Sequence, residues 1–135
     1  MTQTPTTQIW FDAAKSGDIK LLQQTLNMGF DPNAVDELGN SALHYAAQHA
    51  HLETMHWLIQ NNASLNATNN KLATPLHLTE KNIDAIRILL EAGADPNLKD
   101  SDYDFPYYFA FYGSMTRELT DLYIKHGAHL EYKEK

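Results

Sequence analysis

The sequence predicts an all-α solenoid of four helix-turn-helix units joined by extended, β-hairpin-like loops, and three observations carry that expectation. A loop motif recurs, with Asp31-Pro-Asn33 and Asp95-Pro-Asn97 near-identical and Ser64-Leu-Asn66 between them at spacings of 33 and 31 residues. A ladder of Gly29, Asn62, Gly93 and Gly127 keeps the same step, its first three members two residues ahead of those motifs. Ser41-Ala-Leu-His44 returns 33 residues later as Thr74-Pro-Leu-His77, with a weaker copy at Phe105-Pro-Tyr-Tyr108. Self-similarity at this period marks stacked repeats, in which each unit buries its apolar face only against a neighbour.

The elements follow in order. Residues 1–7 read as a flexible tail ahead of a single domain, 8–131, whose repeats run at about 8–40, 41–73, 74–104 and 105–131. The first unit opens with Ile9-Trp-Phe-Asp-Ala-Ala-Lys-Ser-Gly17. Its second helix carries Gln23, Gln24 and Thr25 where inner copies are apolar, so that face is expected to meet solvent as a cap. In the second unit Ser41 is a good N-cap for a short helix through Leu43, Ala46 and Ala47, whose small residues let a neighbour approach closely. Leu52, Met55, Leu58 and Ile59 space a second helix, and Asn62, tolerant of the left-handed region, stops it. The third unit lacks two residues around 80–82, which predicts a tighter turn. The fourth has about one extra residue around 114–117 and replaces the Leu-His pair by Tyr107-Tyr108. Residues 132–135 are expected to fray.

Composition removes whole classes of function. Without cysteine there are no disulfides, no Cys-ligated zinc, no iron–sulfur cluster and no thiol nucleophile. A net charge of −7 sets the average potential against nucleic acid and anionic membrane and favours a basic partner. The first residues carry no signal-peptide pattern, and no apolar run approaches membrane-span length, so the expectation is a soluble cytoplasmic monomer. His49, His51 and His56, with Glu53 among them, are the only enzyme-like cluster and stand as a remote metal-site alternative. The zinc-protease helix it evokes needs two His four apart with Glu directly after the first. His51 and His56 are five apart, roughly 140° around a helix. The glycines are scattered as helix punctuation and form no phosphate cradle, and no serine sits on a nucleophile elbow. No catalytic residue, cofactor or metal is expected.

One segment stands out for binding. Seven of the fourteen aromatic residues fall between Tyr103 and Tyr112. Tyr107, Phe109 and Phe111 suit the end of the stack, whereas Tyr103, Tyr108 and Tyr112 suit anchors for a partner. Residues 91–104 add five acids and one base, with Asp100, Asp102 and Asp104 interleaved among the rings.

With its period, Thr74-Pro-Leu-His77, Asp36-x-x-Gly39, His51-Leu-Glu53 and Leu89-Leu-Glu-Ala-Gly-Ala-Asp-Pro-Asn97, the chain resembles the ankyrin repeat. A tetratricopeptide array would not explain the recurring loop. The resemblance implies that His44 and His77 are structural hydrogen-bonders, and that loop tips and the exposed flank of the first helices form a concave recognition surface without a cofactor. By position, that surface takes Glu37, Leu38, Asn40, Gln48 and His49 from the second unit and Asn70, Lys71, Ala73 and Glu80 from the third. From the fourth it takes Ser101, Asp102, Asp104 and Tyr112. The function implied is non-enzymatic binding of one protein partner, in a sharper form as an inhibitor or immunity-type protein, with an adaptor bridging two proteins as the alternative.

Overall fold

A computed structural model describes residues 5–111 and 116–130. Among them the helices are α1 (Pro5–Ser16), α2 (Ile19–Asn27), α3 (Ala42–Gln48), α4 (Leu52–Gln60), a 3₁₀ helix (Pro75–Thr79), α5 (Ile83–Ala92), α6 (Pro106–Phe111) and α7 (Arg117–Lys125). Extended pairing among the described residues is confined to one antiparallel bridge, Val35 with Ser41, so the all-α expectation holds. The first helices of successive units, α1, α3, the 3₁₀ helix and α6, touch in an inner row. The second helices α4, α5 and α7 form an outer row, and α2 packs on α1.

Local chemistry sets the helix ends. Asp18, Ser41, Asn82 and Thr116 accept hydrogen bonds from backbone amides three residues on, satisfying donors that a helix start leaves without partners. Beyond the outer helices the ladder residues Gly29, Asn62, Gly93 and Gly127 have φ of 90°, 69°, 107° and 90°, the left-handed stop that their spacing anticipated.

The core is one continuous cluster between the rows. Ala13, Ala14, Ala46 and Ala47 are buried and let the inner helices close up, while Leu22, Leu43, Met55, Leu58, Leu76, Ile86 and Leu89 fill the space toward the outer row. Burying each such large side chain contributes about 1.5–3 kcal/mol. The recurring loop Asn joins units polar-to-polar: Asn33 Oδ1 accepts from Ser64 N, Asn66 Oδ1 from Asp95 N and Asn97 Oδ1 from His129 N, each at 2.8 Å.

Three expectations are corrected. Helix α1 begins at Pro5, so residues 5–7 belong to it and not to a tail, because Pro at a helix start gives up an amide that would have no partner there. The first unit's expected solvent face is partly inside: Thr25 is buried with its hydroxyl donating to Leu21 O at 2.8 Å, and Gln23 accepts from Trp57 Nε1 at 3.3 Å. The two residues missing from the third unit come out of its first helix, a 3₁₀ turn of five residues against seven in α3 that ends at Glu80 with φ 50°. The turn that follows is not tightened: residues 80–82 connect the helices there as 49–51 do in the second unit. The fraying expected at 132–135 lies outside the described residues.

Candidate functional site

Each loop tip is built by one side chain. Asp36 Oδ1 accepts from Leu38 N and Asn40 N, Asn69 Oδ1 from Lys71 N and Ala73 N, and Asp100 Oδ1 from Asp102 N and Asp104 N, all within 2.9–3.1 Å. The backbone closes the same loops, with Asp36 N, Asn69 N and Asp100 N donating to Asn40 O, Ala73 O and Asp104 O at 3.0 Å. The short side chain at the first position thus mimics a backbone turn three times over. Tips also join to one another: Asn70 N donates to Leu38 O at 3.0 Å and Ser101 N to Lys71 O at 2.8 Å.

The two histidines of the repeated motif bind the tips to the inner helices. His44 Nδ1 faces Ser41 N–H at 3.1 Å and the Ser41 hydroxyl at 2.9 Å, so the ring proton sits on Nε2, which donates to Ala73 O at 2.9 Å. His77 repeats this with Thr74 N at 3.0 Å and Asp104 O at 2.9 Å. Burial pushes both imidazoles below the ordinary histidine value, which keeps them neutral and able to do both jobs. Their structural role is as the resemblance implies.

The candidate partner-binding residues divide. Glu37, Leu38, Gln48, His49, Asn70, Lys71, Glu80, Ser101 and Asp102 are exposed, on the tips or at the ends of the inner-row helices. Asn40, Ala73 and Asp104 are buried and are removed from that surface. They share one repeat position, where the loop turns back into its helix: Asn40 Oδ1 accepts from Asn69 Nδ2 at 2.8 Å, and the other two offer their carbonyls to His44 and His77. Tyr112 lies outside the described residues. Of the other tyrosines, Tyr107 is buried and donates to His129 O at 2.6 Å, Tyr108 is half-buried and Tyr103 is exposed. Sequence reasoning missed Leu72, exposed on the third unit's tip; its signal was a large apolar residue in the register position of Gly39.

The histidine cluster does not converge. His51 Nε2 lies 2.8 Å from Lys15 O, a pure acceptor, so that nitrogen carries the proton. The His49 and His51 rings are 5.9 Å apart and His56 points to solvent from α4. Among the described residues the grouped metal-capable side chains are Asp100, Asp102 and Asp104, with one oxygen of each within 4.8 Å of the others. Asp100 there already closes its own loop through two amides. No helix among the described residues is long and apolar enough to cross a membrane.

Comparison with known proteins agrees with this geometry. The family model for ankyrin repeats matches in three copies over residues 10–100, which leaves the fourth unit beyond the match. An ankyrin repeat-containing protein of Schizosaccharomyces pombe is 30% identical over 99 residues, covering 73% of this chain and 47% of that protein. A palmitoyltransferase of Drosophila melanogaster is 30% identical over 68% of this chain and 15% of its own length. The human ankyrin repeat and SOCS box protein 3 is 34% identical over 63% of this chain and 17% of its own length. The chain therefore spans about half, or far less, of the relatives it matches. The repeat is typically non-enzymatic and generally mediates protein–protein interaction. On its loop register, its histidine bonds and a match over more than half its length, the chain belongs to the ankyrin-repeat family.

Proposed function

We propose that the chain is a non-enzymatic module that docks one protein partner through the flank made by the loop tips and the exposed edge of the inner helices. The observation that carries this is Leu38, 62% exposed on a tip whose backbone is held by Asp36 and by the neighbouring tip. Among the described residues that side chain joins no part of the core cluster, and an exposed apolar group on a rigid, polar-rimmed support is what an interface needs. Glu37, Gln48, His49, Asn70, Lys71, Glu80, Ser101 and Asp102 supply the surrounding polar contacts.

The net charge of −7 supports a partner with a basic surface, since opposite charge raises the encounter rate. The same complementarity supports an inhibitor or immunity-type role, in which this flank covers a basic working surface of the partner. A photo-crosslinking side chain at Gln48 or Asn70 is expected to capture one protein from the native host, whereas the same group at Gln60, exposed on the outer row, captures none. Capture from Gln60 alone, or from no position, would refute the reading.

A further inference from the structure

We infer that the three loop tips form a receptor for a short basic segment of another protein, with Leu38, Leu72 and Tyr103 as its apolar contacts and Glu37, Asp100 and Asp102 as its charge partners. The inference rests on the binding reading above and names the chemistry of the partner.

The argument starts from register. Gly39, Leu72 and Tyr103 occupy the same position of successive tips, and all three are left-handed, with φ of 78°, 57° and 63°. At Gly39 the fold has the residue that suits this conformation, and a β-carbon there would also lie 2.6 Å from Asn70 Oδ1 and 2.8 Å from Asn70 N. Bulky side chains at positive φ are rare because the β-carbon crowds the backbone. Ala50 and Asn62 also stand where sister units carry glycine, but one is a single methyl and the other a residue that tolerates the region. Leu72 and Tyr103 put large apolar groups there, and packing does not repay them: they are 52% and 76% exposed. Strain held without burial is expected where a side chain serves something outside the fold.

Placement and charge then select the occupant. The tip-to-tip bonds from Asn70 N and Ser101 N make the three loops adjoin, so Leu38, Leu72 and Tyr103 belong to one continuous edge. Residues 36–39, 69–72 and 100–103 carry four carboxylates, Asp36, Glu37, Asp100 and Asp102, against Lys71 alone. Nucleic acid, an anionic membrane and a second copy of this chain, itself at −7, all meet repulsion at that edge. A protein segment with Lys or Arg beside Leu or Phe meets attraction and an apolar seat together.

The test selects short random displayed peptides on the intact protein and measures their affinity for it and for a Leu72→Gly/Tyr103→Gly double variant. Enriched peptides should combine Lys or Arg with Leu or Phe and bind more weakly as salt rises. The double variant should lose about tenfold or more in affinity. Its thermal midpoint should stay level or rise, because glycine relieves the left-handed backbone. A lowered midpoint would assign the two side chains to the fold and overturn the inference. So would enrichment of acidic peptides, or self-association of the intact chain that the variant abolishes. Peptides held equally by both forms but lost on Gln48→Arg would overturn the tip assignment while leaving the wider binding reading standing. Failure of both this selection and the Gln48 crosslink would remove both.

Discussion

Replacing His44 by Ala should be among the most damaging single changes to this protein, and the structure sets its size. The imidazole is fully buried, and it satisfies Ser41 N–H through Nδ1 and Ala73 O through Nε2. Ser41 and Ala73 are themselves 3% and 7% exposed, so water does not readily replace the lost partner. Each orphaned buried group costs about 1–3 kcal/mol, which puts the pair at about 2–6 kcal/mol. A protein of this size has about 5–15 kcal/mol in total, so much of the stability is at stake. The assay is equilibrium urea unfolding followed by circular dichroism and by the fluorescence of Trp10 and Trp57, with His56→Ala on the exposed face of α4 as control. The control should move stability by no more than ~0.5 kcal/mol. His77→Ala, which breaks the same pair of bonds one unit on, should resemble His44→Ala. If His44→Ala and His56→Ala unfold at the same denaturant concentration, the reasoning that these bonds hold tip to helix is wrong.

Two further predictions follow from the same geometry. Burial holds His44 and His77 below their ordinary value, so as pH falls the unfolded chain takes up protons first. Their contribution is therefore full above about pH 6.5 and is lost as pH drops toward the folded-state values, by at most ~1.4 kcal/mol per pH unit for each. Urea melts across that window should show the slope, and the double His44→Ala/His77→Ala variant should flatten it; an unchanged slope in the variant would assign the effect to other groups. Gly39→Ala should cost about 1–3 kcal/mol, because it adds a backbone clash with Asn70 to a φ of 78°. Gly29→Ala, with φ 90° and nothing within 4 Å of the added carbon, pays for the backbone alone, and equal melting losses at the two sites would show that tip contact is not tight.

Much of the fold was legible because repeats state their constraints several times. Gly29, Asn62, Gly93 and Gly127 stop helices for a reason internal to each residue, the ease of positive φ, and a spacing near 33 shows where the next copy must act. The cap at Ser41 is equally local, since the hydrogen bond spans three residues. The site was legible only in part. Exposed Glu37, Leu38, Gln48 and Lys71 followed from register, but Asn40, Ala73 and Asp104, assigned to the same surface, are buried at the one position where each loop turns back into its helix.

What the sequence determined by itself was the all-α repeat and the order of its units, because each depends on residues close together or recurring at one period. The resemblance implied a structural part for His44 and His77, and burial in the stack is what keeps them neutral. The tertiary structure decided which register positions reach solvent, how the third unit absorbs its two missing residues, and that Leu72 and Tyr103 project from left-handed tips. Those outcomes depend on contacts across about thirty residues of chain, as between Asn70 N and Leu38 O, and such contacts exist only once neighbouring units have stacked.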